Sequence, residues 1–182
     1  MNDNKFNVFN TPIWGFILSD QKYQAKDYID KLLDIETTEK SVRKSNFGGY
    51  QTRDNLCEEP IFRELCNSIN FLGTNIVKEF NGAPVSVKEM WGNINYKYCS
   101  NGAHTHGLVL SGVFYLQIPK QCGNLVFCNP AVRSDGHLIR HSNYSVEPQE
   151  LACIIFPSWL EHYVEPNLSD DKRISLSFNI GY

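Results

Sequence analysis

The sequence predicts an α+β fold, with helices first and a sheet structure of short antiparallel strands after them. Three observations predict it. Apolar residues recur at helical spacing in two stretches before residue 84, the texture changes to short alternating runs after Pro84, and aromatic residues make up 13% of the chain, which suits a β-rich core. The 182 residues are read as one domain, with a helical N-terminal part over 1–84 and a β core over 85–182. A chain of this length buries about 70% of its unfolded surface and needs no disulfide staples.

In chain order, residues 6–18 alternate loosely and read as a strand ending at Ser19-Asp20, a pair suited to cap a helix. Tyr28, Ile29, Leu32, Leu33 and Ile35 then recur at helical spacing among charges, which predicts an amphipathic surface helix from Asp20 to about Ile35. Residues 36–59 carry no period. Within them Gly48 and Gly49 permit a tight turn and a close approach of backbone, and the segment is expected to close over a pocket or to be a plain connector. Pro60 opens a second helix at its first position. Its buried stripe is Phe62, Leu65, Cys66, Ile69, Leu72, Ile76, Val77 and Phe80, and residues 81–84 stop it. Strands are expected over 85–98, 109–118, 124–128, 151–157 and 173–180, with 119–124 joining two of them as a hairpin. Such strands make a sandwich or barrel able to hold a small ligand. Trp159 is expected in the core.

A net charge of −3 and a pI near 5.9 argue against a nucleic acid as the partner. The cysteines at 57, 66, 99, 122, 128 and 153 form no C-x-x-C pair, so free thiols in a reducing cytoplasm are expected. No signal peptide and no long apolar run is visible, so no membrane association is expected. A homodimer is compatible with the sequence.

The chemistry centres on His104-Thr105-His106. Side chains two apart on an extended segment share a face, so two imidazoles can take adjacent positions on one metal. An isolated H-x-H is weak evidence, and neutral imidazole suits Fe, Zn, Cu and Ni alike. His162 strengthens the case, followed by a strand with Arg173, Ser175, Ser177 and Asn179 on one face and Ile174, Leu176, Phe178 and Ile180 on the other. Buried polar groups must be hydrogen-bonded, so the polar face implies a pocket with polar contents; the apolar face must be covered, and the N-terminal helices are the expected cover. Arg173 offers a planar pair of donors that matches a carboxylate. It could also be a surface residue on a strand facing water. His137 and His141 read as loop residues, with a substrate-facing lid as the rival role.

The order H-x-H, a gap, H, then R-x-S resembles the Fe(II)/2-oxoglutarate-dependent dioxygenases, whose pattern is H-x-D/E…H…R/K-x-S. The runs from Leu110 to Leu116 and from Phe156 to His162 are similar to a branch of such oxygenases found in marine bacteria and phage. The resemblance covers roughly Trp91 to Tyr182. It implies a double-stranded β-helix (jelly-roll, cupin-like) core, with Fe(II) on His104, His106 and His162 as the catalytic metal site. It further implies 2-oxoglutarate held by Arg173 and Ser175, and hydroxylation of a small molecule or protein side chain with release of succinate and CO2. The superfamily's nucleic-acid demethylases carry an Asn and a Tyr before their motif, both on the co-substrate. Asn93 fits the first place, Asn95 departs from the second, and Tyr115 is a further candidate to touch the keto acid. The chain also departs from the pattern where His106 stands in place of a carboxylate. Three neutral ligands leave Fe(II) at +2 until a dianion chelates it, which favours the ferrous state. The rival readings are a three-His cupin-type dioxygenase without 2-oxoglutarate, in which Arg173 clamps a substrate carboxylate, and a non-catalytic jelly-roll binding module.

Overall fold

The computed structural model describes residues 10–130 and 143–182. The first strand, β1 (Trp14–Ile17), leads into α1 (Ala25–Thr38); two short strands follow, β2 (Asn46–Phe47) and β3 (Tyr50–Gln51), and then α2 (Arg63–Lys78). The remaining strands are β4 (Ser86–Asn95), β5 (Ser100–His104), β6 (Leu110–Gln117), β7 (Leu125–Phe127), β8 (Tyr144–Val146), β9 (Ala152–Pro157), β10 (His162–Val164) and β11 (Arg173–Gly181). They form two antiparallel sheets of orders β1-β9-β6-β11-β4-β3 and β2-β5-β10-β7-β8. With the helices packed on the larger sheet, this is the predicted α+β double-stranded β-helix. The N-terminal part is not purely helical, because β1, β2 and β3 extend the sheets.

Two apolar clusters hold the layers together. The larger lies between the big sheet and the helices: Tyr28, Leu32 and Ile35 of α1 and Leu65, Ile69 and Ile76 of α2 meet Met90, Ile94, Phe114, Ile155, Leu176 and Phe178. This is the cover that the apolar face of β11 requires. The smaller lies between the sheets, where Val113, Tyr115, Ile154 and Phe156 meet Leu125 and Phe127. It fills one half of the interior; the polar face of β11 and β4 lines the other half.

Several expectations are corrected. Ser19 and Asp20 do not cap α1. They begin a 3-10 turn (Ser19–Lys22) that carries Gln21 inward to accept a 2.8 Å hydrogen bond from the Tyr28 hydroxyl, and α1 starts at Ala25. Pro60 likewise opens a short 3-10 turn that runs on into α2. Phe80 is 64% exposed, because α2 has ended at Lys78 and the helical period no longer steers it; its ring meets Trp14 edge-on. Trp159 is 56% exposed. The turn after Pro157, closed by the Leu160 N–H on the Pro157 carbonyl, gives the inward position to Leu160 instead.

Segment 119–124 is no hairpin, since β6 and β7 lie in different sheets. Its turn needs Gly123 at φ +82°, where a Cβ would come within 2.3 Å of the Glu165 carbonyl oxygen. Gly48 and Gly49, at φ +71° and +67°, make a similar crossing from β2 in the small sheet to β3 in the large one. A Cβ on Gly49 would approach the Ile94 carbonyl oxygen to 2.8 Å, which is the close backbone approach expected there. The segment is therefore stitched to both sheets. His137 and His141 lie outside the described residues.

Candidate metal centre and its anion pocket

His104 ends β5 and His162 opens β10, and the two are register partners across the small sheet. His106 lies just past β5, where its backbone N–H donates to the Ser158 carbonyl at 2.8 Å. One ligand nitrogen from each of the three imidazoles falls within 4.8 Å of the others, a span that one metal ion can bridge. The sequence spacing thus brings all three together, although His106 reaches the cluster from beyond the end of β5.

The protonation state suits a metal. His104 Nδ1 sits 2.7 Å from the Gly102 carbonyl oxygen and His162 Nδ1 sits 2.9 Å from that of Leu160. A carbonyl oxygen can only accept, so each Nδ1 carries the proton and each Nε2 presents its lone pair. Burial, with the neighbouring imidazoles, pushes the His106 ring down to about 3. Burial pushes His162 down to about 4 against the opposing pull of the Leu160 carbonyl. Both are neutral, metal-competent ligands at physiological pH. Among the described residues no Asp, Glu or Cys joins the cluster.

Behind the imidazoles lies a narrow cavity of about 40 Å³, whose lining includes Asn93, Tyr115, Arg173, Ser175 and Ser177. Outward it meets a wider cleft of about 550 Å³. Ser45, Trp91, His104 and His106 line both spaces, so the His cluster stands at their junction.

Arg173 is 3% exposed, and no ion pair among the described residues includes it. Among the described residues its Nε finds no hydrogen-bond partner, nor does the Tyr115 hydroxyl, though both atoms are buried. The guanidinium carbon sits 5.4 Å from the Tyr115 ring centroid, so the charge lies over the ring. Burial pushes the Tyr115 phenol up, opposed by the Arg173 charge, so it stays a protonated donor. A buried, unpaired guanidinium costs several kcal/mol, and a buried carboxylate is the group that would offset it. The donor set fits a metal and a carboxylate-bearing ligand together.

Asn93 donates to the Ser177 hydroxyl at 3.0 Å and lines the cavity. Asn95 does not reach the cavity wall; its amide is spent on Asn101. Sequence reasoning missed Asn101 and Trp91 as lining residues. Trp91 shares the inner face of β4 with Asn93, a period-two signal that could have marked it, whereas nothing local marks Asn101.

The class is therefore a double-stranded β-helix with a three-His cluster beside a buried arginine. Residues 89–179 match the model of the family described as "Putative 2OG-Fe(II) oxygenase", and the chain belongs to that family. No curated protein matches the sequence. Among solved structures, the chain is similar to a Pseudomonas putida prolyl-4-hydroxylase (15% identity, 94% of each chain covered, TM-score 0.70). It is also similar to the non-heme alpha ketoglutarate dependent epimerase SnoN from nogalamycin biosynthesis (14% identity, 94% and 78% covered, TM-score 0.70). A third similar structure is a viral collagen prolyl hydroxylase from Paramecium Bursaria Chlorella virus-1 (14% identity, 92% and 94% covered, TM-score 0.64). At these identities the likeness is one of fold.

Proposed function

We propose that this protein is a metal-dependent dioxygenase in which His104, His106 and His162 hold one divalent metal and Arg173 holds the carboxylate of a ligand bound beside it. The observation that carries the reading is the buried guanidinium, unpaired, on the wall of the cavity that the three imidazoles also line. His104 and His162 present Nε2 because backbone carbonyls hold Nδ1. Arg173, Tyr115 and Ser175 bind and orient the carboxylate, while Val113, Leu125 and Phe156 close the apolar side of the cavity against water. The wider cleft admits the molecule to be oxidised, a small molecule or a protein side chain. Iron, when bound, would supply O2 activation.

Two versions differ in whose carboxylate Arg173 takes. Family membership favours 2-oxoglutarate as co-substrate, with succinate and CO2 released as the substrate is hydroxylated. The all-imidazole donor set, lacking the carboxylate of that pattern, favours a three-His dioxygenase whose substrate carries the carboxylate itself. A non-catalytic module is disfavoured by the three-donor cluster, which leaves coordination positions open. Among the described residues no helix is long and apolar enough to cross a membrane, and the six unpaired cysteines suit a reducing compartment such as the cytoplasm.

Anaerobic Fe(II) titration with and without 2-oxoglutarate, followed in the visible range, separates the outcomes. A weak charge-transfer band that needs both, with succinate on admitting O2, supports the co-substrate version. Metal binding without the band or succinate supports the second version. Failure of wild-type protein to bind any divalent metal overturns both.

A further inference from the structure

The wide cleft on the solvent side of the His cluster carries a charge that the metal and carboxylate reading does not use. Glu89 on β4 and Asn179 on β11 are register partners, and both line this cleft together with Trp91, Phe47 and His106. A hydrogen-bond chain fixes their orientation. The Ser111 hydroxyl shares a 2.8 Å bond with Ser158 and donates to Asn179 Oδ1 at 2.8 Å, so the Asn179 amide nitrogen must face the other way, where it donates to Glu89 Oε2. One carboxylate oxygen of a half-buried Glu is thereby held in place at the cleft wall.

No ion pair among the described residues includes Glu89. Lys44, the cation lining the same cleft, is already paired with Asp54 at 3.1 Å. Two aromatic residues, Trp91 and Phe47, line the same cleft as this carboxylate. Trp91 lies two residues along the same face of β4, with its ring 5.7 Å from that of His106, and Phe47 is 67% exposed. A fixed carboxylate with no ion-pair partner among the described residues, in a cleft that two aromatic rings also line, matches one kind of ligand group, a protonated amine.

We infer that the molecule oxidised at this centre carries an ammonium group, which Glu89 binds by charge-assisted hydrogen bonds while Trp91 and Phe47 pack on its adjoining carbons. This rests on the proposed three-His metal site and adds the substrate class. Neutral and anionic substrates of the same length would leave the carboxylate unpaired or repel it, so Glu89 acts as a specificity-determining residue.

Ligand-observed NMR titration with n-pentylamine, n-pentanol and hexanoate tests this on metal-free and Zn(II)-loaded full-length protein. Wild type should bind pentylamine at least about tenfold more tightly than the other two. Glu89→Gln, which keeps the shape and a hydrogen bond to Asn179 while removing the charge, should weaken pentylamine by about tenfold and leave pentanol unchanged. Trp91→Phe should weaken it less. Lysine amide and a lysine-containing pentapeptide then distinguish a free amine from a protein side chain. Equal binding of the three probes, or a Glu89→Gln variant with the wild-type preference and a native circular dichroism spectrum, overturns the inference. Zinc content is read in the same samples. Protein that takes up zinc without the amine preference sinks the substrate class alone, and protein that shows the preference without zinc uptake sinks the metal reading alone.

Discussion

The two faces of β11 solve opposite problems with the same backbone. Ile174, Leu176, Phe178 and Ile180 are each at most 1% exposed and pack beneath α1 and α2. Arg173, Ser175 and Asn179 on the other face are almost as buried, at 3–4%, yet they face a cavity or cleft, and Arg173 leaves its Nε without a hydrogen-bond partner among the described residues. Burial alone therefore does not tell a core from a site. The apolar face is complete without a ligand and contributes stability. The polar face holds an unpaired charge that costs stability until something binds.

That contrast breaks most severely at the ligands. His162→Ala should weaken divalent-metal binding by more than about 100-fold, since loss even of a group supporting a ligand costs tenfold to 100-fold. Metal content after dialysis checks it, and a variant that keeps full metal content would remove His162 from the centre. On the opposite face, Phe178→Ala should destabilise the protein by about 3–5 kcal/mol, lowering Tm by roughly 6–20 °C. Metal affinity of the molecules still folded should not change. A drop in both properties would mean that the two faces are coupled.

Arg173→Met should separate the faces in the other direction. It removes a buried, unpaired charge while keeping much of the side-chain volume, so the ligand-free protein should be as stable as wild type or more stable by about 1 kcal/mol or more. Binding of the carboxylate ligand should fall by roughly tenfold to 100-fold, because a charged hydrogen bond is lost. Arg173→Lys should recover part of it, as the charge returns without the fork. A denaturant midpoint that drops sharply in Arg173→Met would show that the guanidinium is already compensated.

A further expected effect is a pH dependence confined to the polar side. His106 and His162 titrate near 3 and 4 when folded and near 6.5 when unfolded. Between those values the unfolded chain binds protons that the folded one does not, so stability must fall as pH drops. Metal-free protein should therefore lose denaturant resistance from pH 7 to pH 5, and the His106→Gln/His162→Gln double variant should show a flatter profile. An unchanged slope in that variant would assign the pH dependence elsewhere.

Much of this contrast is legible in the sequence because it is local. A period of two in Arg173–Ile180 specifies one polar and one apolar face whatever the strand pairs with. The helical stripe from Phe62 to Val77 likewise announces its own cover for the apolar face. His104-Thr105-His106 names two donors by spacing alone. Phe80 and Trp159 misled because their hydrophobicity suggested burial, and each lies where its helix or strand has already ended. Residues 119–124 looked like a hairpin because a turn signal does not say which sheet receives the next strand.

The sequence by itself determined the α+β outline, the two faces of β11 and the residue types able to hold a metal and a carboxylate, since each depends on neighbours within a few positions. The tertiary structure alone decided which groups meet. It set His104 opposite His162 and Glu89 beside Asn179, turned Asn95 toward Asn101 rather than the cavity, and left Arg173 without a counterion among the described residues. Those pairings join residues up to 90 positions apart in the chain. Strand register fixes them, and register follows from how the two sheets and the helices pack around the whole core.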